Sequence, residues 1–347
     1  MRKLASIRKI SDIKPIPNAD AIEVAVVDGW NVVIRKGEYK PGDMAVYCEI
    51  DSFIPETLAP FLSKGGGAKE YEGIVGNRLR TVKLRGQVSQ GLLLPLSVLD
   101  GVVESRLMEG LDVTLPLGIV KYEPPIPACL AGEVEGMFPG FISKTDQERV
   151  QNIADRKDLL VGNWEVTMKL DGSSMTLFTV EGGVGVCSRN LWLKDNEAND
   201  GNTLVQFARS VEYDKLLPEV AGRIGSDFAL QGEIMGPGVQ KNREKFSKHH
   251  FFVFDIYNIA ESRYLTPDER KDVLAEIREF TPLIEHVPIV YDELFITEED
   301  ATIENFLTIA DRPSINHKIA EGVVFKDNHD GDHSFKVISN KFLLKEE

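Results

Sequence analysis

Through its first 120 residues the chain never sustains an apolar run longer than one strand. The runs WNVVIRKG, MAVYCEID, LRTVKLRG and GLLLPLSV are short, rich in β-branched and aliphatic residues, and punctuated by glycine and proline. Strands at this spacing, with little helical periodicity, predict a small closed β-barrel, and an OB-like fold is the natural candidate. The composition then shifts in KYEPPIPACLAGEVEGMFP, where Pro124, Pro125 and Pro127 forbid helix and favour an extended tether. With 347 residues available for two separate cores, the expected division is an OB-like domain over 1–120, a proline-rich linker over 121–139 and a second domain over 140–347.

The second part mixes helices and strands. WEVTMKL and MTLFTVE flank Asp171-Gly172-Ser173-Ser174 and read as two strands meeting at a sharp corner. In LTPDERKDVLAEIREF, Thr266 and Glu269 have capping-box spacing, and Pro267 takes the first helical position. Val273, Leu274, Ile277 and Phe280 form its apolar face. FALQGEIMG, HHFFVFDIYN and EGVVFK are short apolar runs bounded by turns, as buried strands of an α+β domain would be.

No apolar run approaches the roughly 18 residues of a membrane span. The start lacks the apolar stretch and cleavage site of a secretory signal, so a cytoplasmic protein is expected. Three widely spaced cysteines, Cys48, Cys129 and Cys187, fit neither a disulfide framework nor a zinc site and suit a reducing compartment. His329 and His333 have helical metal-ligand spacing, but Asp-Gly-Asp lies between them, so they read as structural or solvent-exposed. The net charge of -15 opposes nucleic-acid binding unless cations are locally concentrated. They are, at Arg78, Arg80, Lys83 and Arg85, and again at Lys241, Arg243, Lys245 and Lys248.

The chemistry is carried by Lys169-Leu170-Asp171-Gly172. By residue frequencies alone Lys-x-Asp-Gly arises by accident in about one chain in ten of this length, so its context decides. Ser188-Arg189-Asn190, Gln231-Gly232-Glu233, Phe252-Val253-Phe254-Asp255-Ile256, Glu321-Gly322-Val323-Val324-Phe325-Lys326 and Ser334-Phe335-Lys336 come after it in order. The series resembles motifs I, Ia, III, IIIa, IV and V of the covalent nucleotidyltransferases, the superfamily of DNA ligases, RNA ligases and capping enzymes. IMGPGVQKN followed by FFVFDI resembles the RNA-ligase branch. The run PIPNADAIEVAVVDGWNVVIRKGEYKPGDMAVYCEIDSFIPE is similar to the N-terminal OB domain of nick-sealing RNA ligases of the Deinococcus and Naegleria type.

The resemblance implies an OB-like barrel followed by a nucleotidyltransferase domain of antiparallel sheets with flanking helices. It implies ATP as co-substrate, with Mg2+ or Mn2+. Lys169 would attack the α-phosphorus of ATP to form lysyl-AMP, pass AMP to an RNA 5′-phosphate, and allow an adjacent 3′-OH to displace it. A lysine of ordinary pKa near 10.4 must first be made neutral, by desolvation and nearby positive charge. Asp171, Glu233 and Glu321 would hold a hydrated metal, and Phe254 would stack on adenine while Phe252 shares its strand face. Arg149, Met168, Arg189, Glu233, Lys326 and Lys336 would line the nucleotide site. Many relatives read Lys-x-Lys where this chain has Ser334-Phe335-Lys336, so one phosphate-binding cation is either missing or supplied by Lys326 or Lys341. The basic run Arg78, Arg80, Lys83 and Arg85 would meet RNA, with no membrane partner and a monomer favoured. Two other readings stand beside this one: a DNA ligase or capping-type enzyme using the same covalent step, and a non-catalytic OB protein that binds RNA or tRNA.

Overall fold

The computed structural model describes residues 3–64, 66–103, 106–123 and 132–345. Pro124, Pro125, Pro127 and Cys129 lie outside them. The chain forms two compact units: Met1–Pro125 with Gln151–Arg156 and Leu343–Glu347, and Ile126–Val150 with Lys157–Phe342.

The first unit is built from short antiparallel strands. Ala5–Lys9, Met44–Cys48 and Leu92–Leu94 share one sheet, and Asp12–Pro15, Ile22–Val27 and Trp30–Arg35 another. Ser52–Pro55 and Ile74–Arg78 are central in a third. Period-two patterning sets which side chains turn inward: in Trp30–Arg35, Trp30, Val32 and Ile34 are buried while Asn31 and Arg35 are exposed. The segment Gln151–Arg156 is tied to this unit by hydrogen bonds. Gly29 N donates to the Gln151 carbonyl (3.0 Å), Trp30 Nε1 donates to Asn152 Oδ1 (2.7 Å), and Asn152 Nδ2 donates to Glu49 Oε1 (3.1 Å). LRTVKLRG is not one strand, since Ile74–Arg78 ends before it and Val82–Leu84 begins a separate hairpin.

In the second unit one antiparallel sheet runs through Leu191–Leu193, Gly183–Ser188, Ser173–Val180, Phe228–Met235 and His250–Asn258. The other takes the order Glu148–Arg149, Ser334–Ile338, Gly322–Asp327, Gly162–Lys169 and Ile289–Ile296, with its first pair parallel. Helices Thr203–Ser210, Tyr213–Ile224 and Pro267–Arg278 bury Leu204, Leu217, Val220, Leu274 and Ile277 in a common core with Leu177, Leu230, Phe251 and Ile256 of the first sheet. Helix Ile303–Ala310 places Phe306 edge-on to Phe325 and Phe335, which stack on each other at 4.8 Å.

Helix Pro267–Arg278 carries the expected capping box, with Thr266 and Glu269 satisfying one another's backbone N–H. Thr266→Ala is expected to destabilise the protein by about 1 kcal/mol in a urea titration; no change would mean the box is redundant with other contacts. The apolar face differs from expectation at one residue. The helix stops at Arg278, so Phe280 lies beyond it, 45% exposed and covered by the Arg223 guanidinium at 4.8 Å. His333 Nε2 meets the Leu159 carbonyl at 3.1 Å and its ring packs edge-on to Trp164, while His329 is exposed.

Candidate active site

Lys169 is the last residue of Gly162–Lys169, and Ser173 opens the next strand in the other sheet. The corner Leu170-Asp171-Gly172 therefore carries the chain from one sheet to the other. Gly172 N donates to Glu233 Oε1 (3.0 Å), and a Cβ on Gly172 would lie 2.4 Å from the Ile234 carbonyl oxygen. Only glycine lets the corner rest this closely on Phe228–Met235. Across the other sheet Lys169 pairs with Gly322, where a Cβ would meet the Val337 carbonyl at 2.0 Å. That close approach brings the preceding residue, Glu321, to 2.7 Å from Lys169 Nζ.

Three carboxylates thus surround one amine. For Lys169, burial drives the pKa down, but Glu321, Glu233 and Asp171 together outweigh it and hold the ammonium above its ordinary value. The resting lysine is accordingly protonated, although 28% of its side chain stays open to solvent. Burial pushes the Glu233 carboxyl up to about 8, against the pull of Lys169 and the Gly172 N–H and with the help of Glu321. A carboxyl raised above its ordinary 4.5 binds its proton more tightly in the folded state. This stabilisation is full below pH 4.5 and lost as pH rises through about 8. The thermal midpoint of the metal-free protein should therefore carry a downward slope across that window, and Glu233→Gln should flatten it. Equal slopes in the two proteins would contradict the burial of this carboxyl.

Sheet register gathers more cations on the Lys169 face. Lys336 lies opposite Val324, which lies opposite Thr167, and Arg149 pairs with Lys336. Arg149, Lys336 and Lys169 therefore project on one side of the sheet, with Lys326 two residues along from Val324. Lys336 Nζ donates to Asp146 Oδ1 at 3.3 Å. Lys326, by contrast, is buried, bonded to Asp255 and to the Gly331 carbonyl (3.3 Å). Its pKa falls because burial outweighs the pull of Asp255. Lys341 is bound to Asp311 at 2.7 Å, so both lysines considered as the absent motif V cation have carboxylate partners of their own.

Phe252 and Phe254 both join the apolar cluster of Leu170, Met235, Val287, Phe246 and Met168. Phe252 is only 5% exposed, with His250 stacked on it at 5.9 Å, whereas Phe254 is half-buried. A β-bulge at Phe254 resets the strand. Gly232 pairs with Val253 but Gln231 with Asp255, so Phe254 is the extra residue and the strand regains its phase at Asp255. Met168 accepts a hydrogen bond at its sulfur from the Ser314 hydroxyl (3.5 Å). Arg189 is exposed at the turn between Gly183–Ser188 and Leu191–Leu193.

Two constellations were not anticipated from sequence. Arg243, part of the second basic run, sits in the site: its guanidinium meets Asp171 Oδ2 and His317 Nδ1, each at 3.2 Å, and covers the Phe342 ring at 4.7 Å. Asp255, Glu165, Arg270 and Lys326 form a buried charge network, with Arg270 bonded to Glu165 and its Nη1 3.9 Å from Asp255. A signal existed for the second. Arg270 precedes Val273, Leu274 and Ile277 by three, four and seven residues, which puts a charge on the buried face of its helix.

A nucleophile-type lysine ringed by acids, with cations along one sheet face and aromatics beside it, suits transfer of a phosphorus-centred group. A family model for RNA ligases matches residues 162–338, the stretch that holds this geometry from the Lys169 strand to Lys336. The chain belongs to the RNA ligase family. A second model, described as an OB-fold domain, matches residues 4–96 of this RNA ligase. Its architecture is thus an N-terminal OB-fold domain and a ligase domain of mostly antiparallel sheets with a few helices.

Among solved structures, Naegleria gruberi RNA ligase with PPi is 46% identical to this RNA ligase, over 99% of this chain and 98% of that one, with a TM-score of 0.88. A glutamate-to-alanine mutant of the same enzyme with ATP and Mn is 45% identical over 99% and 98% of the two chains, with a TM-score of 0.87. A lysine-to-methionine mutant with AMP and Mn gives 45%, 99%, 98% and 0.88. A search of curated proteins returned no match. Among the described residues of this RNA ligase no helix is long and apolar enough to cross a membrane.

Proposed function

We propose that this RNA ligase is driven by ATP and seals a 3′-OH to a 5′-phosphate, at a nick whose 3′-OH strand is RNA. The observation that carries the reading is the Lys169 amine, fixed 2.7 Å from Glu321 and flanked by Glu233 at the corner between two sheets. Lys169 Nζ attacks the α-phosphorus of ATP, the bond to the β-phosphate oxygen breaks, pyrophosphate leaves, and the amine gives up its proton. The lysyl-AMP so formed passes AMP to the RNA 5′-phosphate, and the adjacent 3′-OH then displaces AMP to form the phosphodiester.

Phe254 stacks on the adenine, with Met168 in the same apolar cluster. Lys336 and Arg149 take the phosphates, where charge shifts most during the reaction. Arg189, exposed at its turn, serves the ribose or the strand end. Lys326 acts at one remove, through Asp255.

Glu233, Glu321 and Asp171 offer hard oxygen donors suited to magnesium or manganese. These acids would hold a hydrated ion through its waters. Such an ion, when bound, would neutralise phosphate charge and compete with the ammonium for these carboxylates. The raised Glu233 carboxyl supports this fit, since a bound cation stabilises its ionised form.

The second unit thus supplies the adenylyltransferase, and Arg80, Lys83 and Arg85 of the first meet the duplex. Arg78 has a second duty, because it is bound to Asp51 at 2.6 Å and lies over Tyr122. Cys48 and Cys187 are free and buried, which suits a reducing, cytoplasmic setting.

The test is to incubate the protein with divalent metal and each α-labelled nucleotide, then to supply defined nicks. Protein-bound label that precipitates with the protein in cold acid, survives alkali and is released by hot acid is expected from ATP and none from GTP or NAD, and an RNA 3′-OH nick should seal much faster than an all-DNA nick. Labelling by GTP would point to a capping-type enzyme, equal sealing rates would remove the RNA assignment, and no label at all would favour a binding protein.

A further inference from the structure

The basic run of the OB-fold unit is folded into a feature that phosphate binding alone does not explain. Val82–Leu84 and Gln87–Ser89 pair as a two-stranded sheet of their own, with Leu84 opposite Gln87 and Val82 opposite Ser89. Arg85 and Gly86 make the connecting turn, both at positive φ (48° and 86°), as a tight type I′ turn requires. The turn therefore carries an arginine where asparagine, aspartate or glycine is easier to accommodate. Lys83 and Arg85 are exposed, and so is Arg80 just before the hairpin. Val82 and Leu84 are 43% exposed as well. Two aliphatic side chains interleaved with cations on a projecting ribbon favour a partner that is apolar on its faces and anionic along its edge.

At the root of the hairpin is a cavity of about 170 Å³. Ile50, Val82, Leu343 and Leu344 give it apolar walls, and Arg78, Arg80, Thr81 and Asp51 complete its lining. Arg78 is held in place on two sides. Its Nε and Nη2 both donate to Asp51 Oδ1 (3.1 and 2.6 Å), and its Cζ lies 4.9 Å from the Tyr122 ring centre. Tyr122 in turn packs against Tyr71 at 4.9 Å. A simple phosphate site would need the cations but not the apolar walls. A nucleobase needs both, since its flat face is apolar and its backbone carries charge at either side. Residues 77–87 hold four cations and no acid in a chain of net charge -15, and of these cations Arg78 is paired with Asp51, which also lines the cavity.

We infer that this cavity receives one nucleobase that has left the stack of the bound nucleic acid, while Arg80, Lys83 and Arg85 grip the phosphates on either side of it. The inference rests on the reading of the chain as a nucleic-acid-joining enzyme and adds to it a site where the strand is held away from the chemistry. Capture of one base would set the register of the duplex independently of sequence, because every base has a face to bury.

The experiment uses the full-length protein and nicked RNA-containing duplexes carrying 2-aminopurine at successive positions of each strand. Fluorescence should rise at one position on binding, as that base unstacks, and stay flat elsewhere. Val82→Glu, which puts an anion at the cavity mouth on an already exposed residue, should abolish the rise and weaken binding about 10-fold. Val82→Ile should keep both, and the thermal midpoints of the two variants should match. Arg85→Ala should weaken binding evenly for all labelled duplexes and reduce the salt slope by about 1.

Binding without brightening at any position would overturn the inference, as would brightening that survives Val82→Glu. Competition by polyglutamate as effective as that by single-stranded RNA of equal charge would also overturn it, leaving only a cationic surface. A position that brightens and is lost in Val82→Glu, in a protein that seals no nick, would uphold the cavity while removing the sealing reaction.

Discussion

Lys169→Ala protein, incubated with metal and α-labelled ATP, is expected to carry no covalently bound, alkali-stable label and to lose sealing by about 10⁴-fold or more on 5′-phosphate ends. Neither neighbouring lysine is placed to take over. Lys326 is sealed in by Asp255, and Lys336 lies a row further along the sheet, opposite Val324. Lys169→Arg should fail equally, because a guanidinium keeps the charge but does not shed its proton to become a nucleophile. That second variant separates the two roles a cation could have here: if Lys169→Arg retained activity, charge and not covalency would be what the position supplies. A pre-adenylylated RNA strand offers a further check. Lys169→Ala should seal it far better than it seals a plain 5′-phosphate, since the missing amine is needed only to load AMP.

The largest effect on stability is expected from Asp255→Ala. Asp255 is the carboxylate bonded to Lys326, and it also lies 3.9 Å from Arg270 Nη1 and accepts from Gln147 Nε2 at 3.3 Å. Removing it leaves two cations buried with Glu165 alone between them. Lys326, already shifted downward by burial, can respond by losing its proton, but Arg270 cannot. Breaking a buried pair from one side in this way destabilises by about 3 to 5 kcal/mol, which urea denaturation would show as a lower midpoint. Asp255→Leu combined with Lys326→Met should be milder than Asp255→Ala, because neither change then strands a charge. A single-variant loss below about 1 kcal/mol would mean that solvent reaches the network.

This network also connects the chemistry to the fold. Glu165 lies on the Lys169 strand, Asp255 directly follows Phe254, and Lys326 lies on the strand that Glu321 precedes. The three strands that carry Lys169, carry Phe254 and follow Glu321 are therefore cross-linked by buried charges. Such pairs are weak sources of net stability but strong determinants of which arrangement is adopted.

What could be read from the sequence alone was whatever local chemistry repeats along the chain. Short apolar runs bounded by turns marked strands in both units, LRTVKLRG excepted, and the Thr266-to-Glu269 spacing located a helix start, because turn chemistry and capping act within a few residues. The ordered series from Lys169 to Lys336 was legible for a different reason: each short motif is weak alone, but their order along the chain resembles that of a known superfamily. Tertiary structure decided what depends on residues far apart in the chain. It alone showed that Asp171-Gly172 bridges two sheets, that Gln151–Arg156 returns to the first unit, and that Arg243 reaches Asp171 across 72 positions. It also decided that Lys326 is bound by Asp255 and that the acids around Lys169, Glu321 foremost, hold its pKa above the ordinary value. Burial and pairing fix the charge state of a buried group, and both are properties of neighbours brought close by folding.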